Sequence, residues 1–291
     1  MGTKDITEKL LEDYNDIFAD IVNVLLFNGD KRIAPDNLVN ANVHSMYKDE
    51  KGKVHEQERD VAKYWMDKGM EIALCGLENQ TRSEKKMPLR IYGYEGASYR
   101  TQLDKKDIAP VVTLVLYFGE EHWTAPTHLK ELISIPAGLD EYVNDIAINV
   151  FEISWLTDEQ LSRFESDFKV VANFFVNKRK NKDYIPDDKT TVKHMDEVLK
   201  LLSAMSGDNR YETILSDEKE MNNMCEVAQR LEDRGFKSGL EQGLEQGKEE
   251  ALRQSILKLN KKGYSSADIA DMLELSLEEV EKIIDIKNVE T

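Results

Sequence analysis

The run "PVVTLVLYFG", residues 110 to 119, limits this chain more than any other stretch. It is apolar almost throughout, and a strand of that kind must be covered on both faces. The segments around it supply the cover. Residues 4–27 carry Leu10, Leu11, Tyr14, Ile17, Phe18, Ile21, Val22, Leu25 and Leu26 at the spacing of one amphipathic helix. Asp13, Asp16, Asp20 and Asn23 form a polar stripe opposite, expected to be a solvated face. Residues 58–66 and 70–78 read as neighbouring strands about the turn "DKG", residues 87–104 as a helix and 145–156 as a further strand. Helix, strands, helix, strand is an α/β order.

From residue 157 the pattern is helical throughout. Thr157 and Gln160 have capping-box spacing, and residues 189–206 and 209–259 continue with short breaks. Gly235, Gly239, Gly243 and Gly247 fall four apart within "GFKSGLEQGLEQGKEEA". Each glycine costs a helix about 1 kcal/mol against alanine, so four in a row predict either a tight helix–helix contact, such as one between subunits, or a weakly helical linker. Ser266 and Ser276 open two short helices that outline a helix-turn-helix. Its second helix is acidic, which favours a packing or oligomerisation hairpin over a DNA-reading element. The expected division is 1–156, 157–234 and 235–291.

A net charge of −17 weighs against a large nonspecific nucleic-acid surface. "SEKKMPLR" and "NKRKNK" are local basic exceptions. No apolar run reaches the ~18 residues of a membrane span, and the charged start is unlike a signal peptide. Cys75 and Cys225 read as reduced thiols of a cytoplasmic protein.

The stretch "GMEIALCGLENQT", residues 69–81, pushes Glu78 and Gln80 out of the end of a hydrophobic strand. Residues two apart in a strand share a face, and Asp60 on the preceding strand is placed to converge on Glu78. Two carboxylates and an amide oxygen suit Mg²⁺ or Mn²⁺. Such a cation lowers the pKa of a bound water and polarises a phosphate. Asp20 is a candidate outer ligand. Acids this close in sequence are also common at ordinary strand ends. The five histidines show no zinc-type spacing with cysteine.

The ordered motifs "ERDVAKYW", "LENQT", "MPLRIYGYEGASYRTQL" and "PVVTLVLYFG", followed by Trp123, resemble the Rpn family of recombination-promoting nucleases, also described as transposases, in the PD-(D/E)XK nuclease superfamily. The likeness covers roughly residues 10–155. It implies a PD-(D/E)XK nuclease-like α/β core of helix, three strands, helix and strand, with an all-helical C-terminal extension. It also implies Mg²⁺-dependent hydrolysis of DNA, with Asp60 and Glu78 as metal ligands and Gln80 at the position usually held by lysine. Arg59, rather than proline, precedes Asp60. Gln80 can orient water but supplies no charge, so more of the work would fall on the metal and on Lys85, Lys86 or Arg90 as phosphate contacts. The alternative is a catalytically inactive homo-oligomer whose C-terminal helices bind a partner protein.

Overall fold

The computed structural model describes residues 11–41, 44–48, 54–58, 60–216 and 221–289, with backbone alone for 44–48, 54–58, 216 and 286–289. It divides into two compact units, Met1–Ala228 and Gln229–Thr291. The helical residues from 157 to Ala228 fall in the same unit as the sheet.

In the first unit, helix α1 (Asn15–Phe27) precedes strands β1 (Leu38–Asn40), β2 (His44–Lys48), β3 (Val54–Glu58), β4 (Val61–Asp67) and β5 (Met70–Gln80). Helix α2 (Met87–Arg100), strand β6 (Val111–Tyr117) and strand β7 (Asn149–Glu152) come after them. Five strands form a mixed sheet in the order β1-β4-β5-β6-β7, antiparallel up to β5 and parallel from β5 to β7. β2 and β3 make a separate antiparallel pair. The apolar run does lie mid-sheet, buried from Thr113 to Tyr117. Against one of its faces α2 packs Met87, Ile91 and Tyr94 on Val115 and Ile148.

Two helices cover the other face. The first is shorter than expected. Residues 11 and 12 are helical, the chain turns at Asp13 and Tyr14, and α1 starts at Asn15. Residues 4–10 lie outside the described residues. The polar stripe is a solvated face only in part: Asp13 is exposed and Asp16 and Asp20 are half-buried. Asn23 is buried, donating to Ile33 O at 2.8 Å and accepting from the amides of Arg32 and Ile33. Helices α3 (Asp158–Arg163) and α4 (Phe168–Lys180) come next, α3 opened by the expected Thr157–Gln160 capping box. Phe118 meets Phe168 and Phe175 edge-on, which fixes α4 to the sheet. Buried Lys63 donates to Asp13 O at 2.8 Å and Asn40 Oδ1 at 2.5 Å, tying the chain before α1 to β1 and β4. Helices α5 (Met195–Ser206) and α6 (Arg210–Thr213) follow, α5 packing on α4 and α6 on α5.

The β4–β5 hairpin fixes where the acidic side chains meet. Its turn has Lys68 at φ 48° and Gly69 at φ 81°, the two positive values a type I′ turn requires. Next to the turn, Asp67 pairs with Met70 and Met66 with Glu71. Trp65 then pairs with Ala73, so Ile72 is an extra residue in a β-bulge. From there to the far end the register is Val61 opposite Leu77. Asp60, the residue before β4, lies at this end, where its Oδ2 accepts the backbone N–H of Asn79 at 2.6 Å.

The second unit contains most of α7 (Met224–Lys261), then α8 (Ser266–Leu273) and α9 (Leu277–Val289). Ile256, Ile269, Ala270 and Val280 form its small core. The cap of α8 is Ser265, one residue before the serine expected from the sequence. All four spaced glycines lie in continuous α7, and a Cβ on any of them would meet nothing within 4 Å. Within this chain, therefore, they serve no tight packing among the described residues.

Candidate active site

Glu78, Asn79 and Gln80 end β5 in succession, so their side chains leave alternate faces. Glu78 and Gln80 emerge on the α2 side. The Glu78 side chain is 1% exposed, and its Oε1 accepts from Arg90 Nη2 at 2.5 Å and from Gln80 Nε2 at 3.2 Å. The same arginine nitrogen reaches the Tyr94 hydroxyl at 3.0 Å, one turn further along α2. Burial opposes the charge of Arg90, but Glu78, Tyr94 and Asp60 outweigh it and raise its pKa. Burial, then the Glu78 charge, pushes Tyr94 up to about 12.

Asn79 emerges on the α1 side. Its backbone N–H donates to Asp60 Oδ2 at 2.6 Å, and its Nδ2 donates to Glu12 Oε2 at 2.7 Å. Glu12 is fully buried. Burial raises its pKa well above the usual carboxylate range; Asn79 pulls it down, while the charges of Asp60, Asp13 and Glu78 add to the rise. Three carboxyl groups from three chain segments thus feel one another at the end of one strand.

The expected residues Asp60, Glu78, Gln80 and Arg90 are brought together. Arg90, expected as a phosphate contact, is held by Glu78. Lys85 and Lys86 are exposed at the start of α2. Asp20 does not join the group: its Oδ2 accepts the backbone N–H groups of Glu165 at 2.9 Å and Ser166 at 2.7 Å, so it holds the approach to α4. Arg59 lies outside the described residues. Glu12 has no distinguishing signal in the sequence, where it is one more acid beside Asp13. Glu12 stands just before the turn at Asp13–Tyr14, apart from α1, and its Oε2 meets Asn79.

Glu12 Oε1 and Asn79 Oδ1 are buried here with no hydrogen-bond partner among the described residues. Carboxylate and carboxamide oxygens suit a hard divalent cation such as Mg²⁺ or Mn²⁺. Among the described residues no three His, Cys, Asp or Glu side chains close into a ready cage for a metal ion. A cation in this place would rest on carboxylates, amide oxygens and water.

Fold and site together define a mixed α/β protein with an acidic site at the carboxyl end of a central strand. Residues 67–206 match the family described as "Putative transposase, YhgA-like", a likeness in keeping with the motifs of the sequence. The match takes in Glu78, Gln80, Arg90 and Tyr94 and begins after Asp60. No curated protein and no solved structure matches the chain.

Proposed function

We propose that the protein is a metal-dependent DNA endonuclease with a PD-(D/E)XK-type core, acting in recombination or mobile-element transfer. The observation that carries this reading is the meeting of Asp60, Glu78 and Glu12 around Asn79, at the end of a strand inside the transposase-family segment. When bound, Mg²⁺ or Mn²⁺ supplies an activated water and neutralises developing phosphate charge. Asp60 and Glu78 would hold it. Gln80 orients the attacking water by hydrogen bonds and can neither take its proton nor add charge. Arg90 is the fixed cation on the α2 side, and its planar fork suits a phosphate. A slow enzyme is the consequence of glutamine in place of lysine.

The test is nicking of supercoiled plasmid by the full chain with Mg²⁺. Wild type is expected to nick, and Asp60→Ala to fall by about 100-fold or more, the scale of losing one preorganised electrostatic contact. Equal rates for the two proteins would falsify the nuclease reading.

A second reading rests on α7. Phe236, Leu240 and Leu244, spaced four apart, are 74%, 54% and 57% exposed, beside the open glycine row. A helix that shows this stripe to water is suited to pair with another helix. We propose homo-oligomerisation through it, compatible with either an active or an idle core.

A further inference from the structure

The rim that carries Glu78 and Gln80 continues across the parallel strands. Pairing sets Gln80 of β5, Tyr117 of β6 and Glu152 of β7 in one row on one face. Glu152 anchors a loop here. Its Oε1 accepts the backbone N–H of Trp123 at 2.5 Å, and its Oε2 accepts from His122 Nδ1 at 2.9 Å. The same loop is fastened to the segment after β5 by the Thr124 N–H, which donates to Ser83 Oγ at 3.1 Å. Gly119 is required in it, because a Cβ there would strike the Tyr117 ring.

So held, the His122 ring lies flat on the Trp155 indole, with centroids 3.6 Å apart. The Arg179 guanidinium covers the other face of the indole at 3.8 Å, and its Nε donates to Ser154 O at 2.8 Å. Arg179 belongs to the basic last turn of α4, Lys178 to Lys180, inside the run "NKRKNK" that stands out from an acidic sequence. Yet His122, at the outer end of the stack, has a side chain 61% exposed. A three-layer stack that presents its outermost ring to solvent, with exposed Lys180 and Lys182 following Arg179 along the chain and the Lys180 ammonium 4.0 Å from exposed Asp158, combines a flat π-surface with phosphate-scale cations. Unpaired bases stack on aromatic and guanidinium planes in this way while lysines track the backbone. In a chain of net charge −17, a polyanion can settle only where the charge is locally reversed.

We propose that the His122–Trp155–Arg179 stack and the basic end of α4 are the docking path for a single DNA strand, with an unpaired base on His122. That the strand leads to Glu78 and Gln80 rests on the nuclease reading; the docking itself does not.

Binding of a labelled single-stranded oligonucleotide of about 16 nucleotides to the full chain in EDTA, by fluorescence anisotropy, tests it. Wild type is expected to bind with quenching of tryptophan emission. His122→Ala should weaken binding about tenfold, the scale of one lost base stack. Lys180→Ala should make the salt dependence shallower by roughly 0.7 in log–log slope. Lys105→Ala, whose ammonium pairs with Glu71 at the other end of β5, serves as the control and should bind as wild type does. Both substituted residues are exposed, so loss of fold is not the expected cause of any change, and circular dichroism checks this. If His122→Ala and Lys180→Ala bind like wild type, or if duplex of the same sequence binds as tightly as the single strand, the proposal is overturned. Binding that depends on His122 in a protein that cuts nothing with Mg²⁺ supports the docking path and ends the nuclease reading alone. Cleavage by a protein whose binding ignores both substitutions does the reverse.

Discussion

At the scale of single residues, the two sides of the β5 terminus are built on opposite electrostatic terms. On the α1 side Glu12 is a fully buried acid with a raised pKa, first from burial and then from neighbouring acids. An acid whose folded pKa exceeds its unfolded value favours the folded state most at low pH. That contribution is lost as pH rises from about 4.5 through the folded value. Glu12→Gln removes the titration and places an amide donor beside the unpartnered Asn79 Oδ1. Without metal, this variant is expected to be more stable than wild type by about 1 kcal/mol or more at pH 8, with the gain shrinking towards pH 5. Urea unfolding in EDTA at both pH values measures it; a gain larger at pH 5 would contradict the assignment. On the α2 side Arg90 is the cation that Glu78 holds. Arg90→Met takes that cation from a carboxylate that is 1% exposed and should cost about 3 kcal/mol in EDTA. Mg²⁺ should restore part of the melting temperature in this variant, and more than it adds to wild type. Thermal melts of both proteins with and without Mg²⁺ decide the point.

At the scale of elements, the hairpin is tight but not optimal. Lys68 sits at φ 48°, a region that favours asparagine over lysine. Lys68→Asn is expected to stabilise the first unit by about 0.5 kcal/mol or more, read as a higher urea midpoint at unchanged slope. Legibility in the sequence differs from one element to the next. The Val111–Tyr117 strand is readable because cover on both faces leaves no charged position in it and, apart from Thr113 and the Tyr117 hydroxyl, no polar one. The β4–β5 pair is readable from its turn, and Asp60, Glu78 and Gln80 from alternation along the strand. β2 and β3 give no signal because "HSMYK" and "VHEQE" lack a clean alternation of apolar and polar residues. The break that frees Glu12 is hidden because no glycine or proline marks Asp13–Tyr14. Asp20 is not the outer ligand its position suggests, because spacing puts it on a polar stripe without saying which backbone it will cap. The bulge at Ile72 has no signature either, since an apolar residue fits a bulged and an unbulged strand alike.

At the scale of the whole molecule, the chain is two compact units, with α7 beginning in the first and running into the second. No helix among the described residues is long and apolar enough to cross a membrane. The exposed Phe236–Leu244 stripe belongs entirely to the second unit. Light scattering should find the full chain as an oligomer and a version ending at residue 234 as a monomer, with plasmid nicking kept by both. A monomeric full chain would remove the self-association reading and leave the core untouched. Ile72 has a further consequence. Because side chains alternate, the acid pair depends on register: a slip of one residue between β4 and β5, with no bulge or loop residue to take it up, would turn one carboxylate to the back of the sheet. The bulge at Ile72 takes up one such residue on the turn side, so the register beyond it, through Val61 opposite Leu77, is kept. The hairpin can therefore change length near its turn and keep its chemistry, provided a bulge or the turn absorbs the change.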